Sequence, residues 1–131
     1  MVKKIIEIKY EEGEGLDKEE YIGEVVIKRL SFSEKNSLEE ESTDIKIMGG
    51  QPIVKLSTAK MKEVGLLKSI VSSDLKKTTY YEDKVTKDHK PTTNAYPLDI
   101  TNIRNMPVEL GNLLFDEFTA INTVEDKKKE K

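Results

Sequence analysis

The chain's one histidine, His89, follows Asp88 in the run Asp-His-Lys-Pro, which brings together in sequence the carboxylate and imidazole of a general acid–base pair. Neighbours in an extended segment point to opposite sides, and no cysteine or second histidine stands at metal-ligand spacing, so these residues favour an exposed loop histidine. Gly13 and Gly15 lie in Glu-Gly-Glu-Gly, without the lysine or the following helix of a phosphate-cradling loop, and their acidic neighbours repel phosphate. Glu11, Glu12, Glu14, Asp17, Glu19 and Glu20 lack the alternating ligands and terminal glutamate of a calcium loop, which leaves a solvated acidic segment. The paired aromatics Tyr80 and Tyr81 suit a stacked base or a protein contact, and without a basic surround they point to protein contact or core packing. The residue chemistry therefore predicts no catalytic residue, no cofactor and no metal site.

Composition sets the same bounds. Charged and hydrophobic residues each make up 36% of the 131 residues, so the core is small for the length and the surface heavily charged. A net charge of −3 with both signs interspersed provides no basic stripe for a nucleic-acid backbone. Cysteine is absent, which excludes disulfides and thiolate chemistry. No apolar run is long enough to span a membrane or to serve as a secretory core, so a soluble, cytoplasmic chain with neither membrane nor nucleic-acid partner is expected.

Elements must position whatever contacts exist. Ile6, Ile8 and Tyr10 alternate with Glu7 and Lys9, predicting a strand over 3–10; Val25 and Ile27 predict a second over 21–30, antiparallel to the first. The glycine- and acid-rich stretch 11–20 between them reads as a mobile loop. Ser31-Phe32-Ser33-Glu34 matches a capping box and opens a short helix to about residue 41, in which Phe32 and Leu38 are the apolar residues. Gly49-Gly50-Gln51 joins two apolar stretches, 44–48 and 52–57, as a hairpin. Ser57 or Thr58 caps a helix reaching about residue 72, with a strand near Ile70 as the alternative for its end. Residues 76–98 show little sustained periodicity and read as a long polar loop, with a short strand at 79–82 as an alternative. Asp99 caps a short turn that turns Ile100 and Ile103 inward.

The clearest periodicity comes last. Leu110, Leu113, Leu114, Phe118 and Ile121 form one apolar stripe on a helix from about Pro107 to Asn122. The stripe closes the domain's own core, while Val108 and Phe115, off the stripe, stay available to another chain. Residues 125–131, rich in lysine and glutamate, read as a disordered tail. The whole predicts one α+β domain over 1–124: a small, mostly antiparallel sheet packed with two or three helices.

The order of these pieces resembles the small tail assembly chaperones of long-tailed phages and proviruses. The likeness runs from about Gly23 to Asn122 and rests on Lys28 to Phe32, on Gly49-Gly50, and on Met106-Pro107 through Leu114. It implies a non-catalytic protein that binds the tape-measure protein, helps it and the tail-tube subunits assemble, and is absent from the finished virion. The acidic segment and the first strand depart from that pattern. They leave open a structural subunit that stays in the particle and, more remotely, a small-molecule enzyme using Asp88, His89 and the tyrosines. Candidate partner-binding residues are Val108, Phe115, Tyr80 and Tyr81, and homo-oligomerisation is also open.

Overall fold

A computed structural model describes residues 2–123, with the side chains of 44–48 and 53–55 excepted. The expected tail over 125–131 lies outside the described residues. Among the described residues the architecture is α+β: an open five-stranded antiparallel sheet, a separate two-stranded hairpin and four α-helices.

The first two strands, β1 (Lys3–Glu12) and β2 (Glu19–Lys28), pair along their full length, from Lys3 opposite Lys28 to Glu12 opposite Glu19. This corrects the expected mobile loop over 11–20. Glu11, Glu12, Glu19 and Glu20 belong to strands, and a single 3₁₀ turn at Gly15–Asp17 joins them. Lysines make that acidic end tolerable: Lys18 lies 3.5 Å from Glu11 and 3.2 Å from Glu20, and Lys77 lies 3.3 Å from Glu19.

α1 (Phe32–Glu41) starts at the predicted capping box, with the Glu34 amide donating to Ser31 Oγ at 3.2 Å and the Ser31 amide donating to Glu34 at 3.0 Å. The hydrogen bond and charge of Lys28, 2.7 Å away, together with the Ser31 amide, hold the Glu34 carboxyl at about 2. β3 (Thr43–Met48) and β4 (Gln51–Leu56) form the predicted hairpin around Gly49 and Gly50, both at positive φ. α2 (Thr58–Ser69) is capped by Ser57, and the chain then changes to β5 (Ile70–Ser73), the strand alternative for this segment.

The predicted long loop is the larger correction. β6 (Lys76–Glu82) and β7 (His89–Ala95) form an antiparallel hairpin that extends the sheet beyond β2. Its turn rests on Asp83, whose Oδ1 accepts from the amides of Val85 at 2.8 Å and Thr86 at 3.0 Å. Those amide bonds and Lys90 hold the Asp83 carboxyl below its ordinary range.

β2 changes partners midway, pairing with β6 over Glu19–Ile22 and with β5 over Val25–Ile27. Gly23 sits at the junction. A Cβ there would lie 2.7 Å from Leu75 Cα and 2.9 Å from the Asp74 carbonyl oxygen, so only glycine lets the backbones approach this closely. Asp74 closes the seam by accepting from the Glu24 amide at 2.6 Å and donating its own amide to the Glu24 carbonyl at 3.1 Å.

The helices cover one face of the sheet. α3 (Ile100–Asn105) is capped by Asp99, and α4 (Val108–Asn122) follows after Pro107. Leu110, Leu114, Phe118 and Ile121 are buried against Ile6, Ile8, Val25 and Ile27, each such side chain contributing about 1.5–3 kcal/mol. Leu113 departs from the predicted stripe and is 42% exposed. α2 lies close to α4 because Gly65 has no side chain: a Cβ there would be 3.1 Å from Phe118 Cζ and 3.4 Å from Leu38 Cδ2.

Candidate functional site

α2, α3 and α4 meet around a shallow groove. Its floor is apolar and buried, made by Leu66 of α2, Ile103 of α3 and Met106 in the link between α3 and α4. Asp99 opens α3 by accepting from the Asn102 amide at 2.8 Å, and Met106 then leaves the helix in an extended conformation that sets the start of α4. Val108 is 77% exposed on the first turn of α4, and Phe115 lines the groove two turns further on.

Phe115 is half-buried rather than free. Its ring stacks on Phe118 with centroids 5.5 Å apart, and Lys62 Nζ lies 5.3 Å above it. At the rim, Arg104 Nε donates to Glu63 Oε1 at 2.8 Å. The groove is thus apolar inside and charged at its edge, with Val108 as the projecting apolar contact. Its volume, about 170 Å³, is below the roughly 300 Å³ of ordinary small-molecule pockets.

A larger hollow of about 440 Å³ lies beside Val2, Lys28, Arg29, Ser31 and Glu34. Its polar groups are engaged: Lys28 pairs with Glu34, Ser31 caps α1, and Arg29 Nε donates to the Ile121 carbonyl at 3.2 Å. No histidine, cysteine or carboxylate cluster among the described residues is arranged to hold a metal ion. His89 opens β7 on an exposed strand opposite Glu82, and the Asp88 carbonyl accepts the Asp83 amide.

The tyrosines are not brought to the groove. Tyr80 and Tyr81 alternate along β6, so their side chains point to opposite faces of the sheet. Tyr80 is half-buried, donating to Glu20 Oε1 at 3.1 Å with Lys18 5.9 Å from its ring; that hydrogen bond, with burial adding to it, raises the phenol above its ordinary range. Tyr81 is exposed.

Comparison with family models, curated proteins and solved structures finds no match to this chain.

Periodicity singled out neither Leu66 and Met106 in the floor of the groove nor Lys62 beside it. Met106 precedes a proline and lies outside any periodic run, so its burial follows only from the bend between α3 and α4. Lys62 carried no signal, because its place above Phe115 depends on how α2 crosses α4. No helix among the described residues is long and apolar enough to cross a membrane.

Proposed function

We propose that this chain is a non-catalytic protein-binding factor of the phage tail assembly chaperone kind. Its groove between α2 and α4 receives an amphipathic helical segment of a tape-measure protein in the host cytoplasm. The observation that carries this reading is the exposed Val108 beside an apolar floor of Leu66, Ile103 and Met106, rimmed by the Arg104–Glu63 pair. A helix presents apolar side chains at i, i+3, i+4 and i+7, which suits a shallow groove better than a deep pocket. The resemblance of Lys28 to Phe32, Gly49-Gly50 and Met106 through Leu114 supports the choice of client. A charged exterior keeps such a complex soluble before assembly.

The test is co-expression with the tape-measure protein encoded beside this gene. Co-purification is expected, with Val108→Asp weakening it about tenfold, the scale of an interface contact worth above 1 kcal/mol. The melting temperature should hold, because Val108 is exposed. Wild-type client binding by Val108→Asp, or a gene neighbourhood without a long helical tail protein, overturns the reading. Recovery of the chain in stoichiometric amounts from finished particles favours a structural subunit instead.

A further inference from the structure

The edge strands β1 and β7 of the main sheet differ in what they leave open. The Arg29 amide donates to the Val2 carbonyl at 2.9 Å, which continues the β1–β2 register and marks the even residues of β1 as those bonded to β2. The main-chain groups of Lys3, Ile5, Glu7, Lys9 and Glu11 therefore face the outer edge. At the opposite edge, the Tyr96 amide donates to the Leu75 carbonyl, which by the same alternation turns the odd residues of β7 outward. One of these is Pro91, which has no amide to offer, so β7 is blunted against pairing and β1 is not.

We infer that β1 is a self-association edge, and that a second copy of this chain adds its own β1 there, antiparallel, to make one continuous sheet. The strand reads Lys3-Lys4-Ile5-Ile6-Glu7-Ile8-Lys9-Tyr10-Glu11-Glu12, basic at its start and acidic at its end, and is complementary to itself when reversed. Centring the two-fold axis on Ile8 puts Glu7 opposite Lys9 of the second copy and Lys4 opposite its Glu12, with each pair occurring twice. Ile6 then meets Tyr10 on the core-facing side. Centring it on Glu7 would oppose two glutamates, which like-charge repulsion disfavours. In the Ile8-centred register Ile5 pairs with Glu11 and Glu7 with Lys9 at outward-bonding positions, and each such pair exchanges two main-chain hydrogen bonds.

The helical layer has a matching feature. Glu109 of α4 accepts from the Tyr10 hydroxyl at 3.3 Å, and Glu117 pairs with Lys4, so this flank of α4 lies above β1. Leu113 stands midway between them at i+4 spacing and is 42% exposed. The same axis brings it toward the Leu113 of the second copy, which accounts for its exposure in a single chain. This flank is opposite the one that carries Val108 and Phe115, so self-association leaves the client groove open.

Sedimentation of the full chain over a concentration series up to about 1 mM, the weak end of specific association, tests this. A concentration-dependent dimer is expected. Glu7→Lys and Lys9→Glu, both solvent-facing, should each weaken it about tenfold or more, because each replaces two attractions with two repulsions. The double variant Glu7→Lys/Lys9→Glu should regain dimerisation, and an equimolar mixture of the two single variants should form the heterodimer. Circular dichroism confirms that each variant is folded. A wild-type monomer throughout, a dimer indifferent to both charges, or a double variant as weak as the single ones overturns the proposal.

Discussion

α4 and the β6–β7 hairpin are held in place by different physics. α4 buries Leu110, Leu114, Phe118 and Ile121, and its position follows from area removed from water. Every residue of β7 is exposed. The hairpin is held by ladder hydrogen bonds, by the Asp83 turn, by the Thr78–Thr93 hydroxyl contact at 2.8 Å and by its anchorage at Tyr96. The Tyr96 ring is buried edge-on against Tyr21 at 5.3 Å, and its hydroxyl donates to the Asn102 carbonyl at 2.8 Å. Burial produces a sequence period that can be read in advance. A polar hairpin leaves no such mark.

If that contrast is right, Leu114→Ala should be the most damaging change, because Leu114 is fully buried: about 2–5 kcal/mol in urea or thermal unfolding. A cost below about 1 kcal/mol would mean that α4 is not anchored through its stripe. Gly23→Ala comes next, at about 1–3 kcal/mol, since the added Cβ meets the Leu75 backbone at the root of the hairpin. Hydrogen exchange in this variant should rise first in β5 and β6. Tyr96→Phe isolates the polar anchor and should cost about 1 kcal/mol, the usual net worth of one hydrogen bond. Thr93→Ala loses the solvent-exposed Thr78 hydroxyl contact and should cost about 0.5 kcal/mol, the low end for one hydrogen bond.

A last difference is a slope with pH. Burial, with the Glu19 charge adding to it, pushes the Tyr21 phenol to about 12 from an ordinary value of 10.0. The folded state thus retains a proton that the unfolded state loses first. The associated stability is complete below pH 10 and is lost as the pH rises toward 12. Tyr21→Phe should unfold with a flatter dependence across that window than wild type, as followed by chemical denaturation. Equal slopes would place the Tyr21 hydroxyl in water rather than at the core.

Much of the fold was legible because local signals agreed with one another. The alternation of Ile6 and Ile8 with charged residues marked β1, Ser31 and Glu34 marked the start of α1, and the two glycines marked the β3–β4 turn. The boundary at Ile70 was ambiguous, since β-branched residues there suit a helix end or a strand, and pairing with Ile27 decides it. Phe32 joins Leu38 in the apolar content of α1, yet it is 82% exposed while Leu38 is buried. Of the candidate site, Val108 was readable as off the stripe. Phe115 was too, but its half-buried state was not, because that depends on Phe118 beneath it and Lys62 above.

Local chemistry was enough to determine an α+β chain, its capped helices, its first two strands and the amphipathic character of α4. These follow from backbone periodicity and from side chains within a few residues of each other. Which flank of α4 faces a groove and which lies over β1, that the polar stretch from 76 becomes two strands, and that the β1 edge is open while the β7 edge carries Pro91 were decided in three dimensions. Each depends on partners far apart in sequence, as with Tyr10 and Glu109 or Gly23 and Leu75. Geometry of that kind is set by the packing of whole elements, which leaves no period in the chain to read.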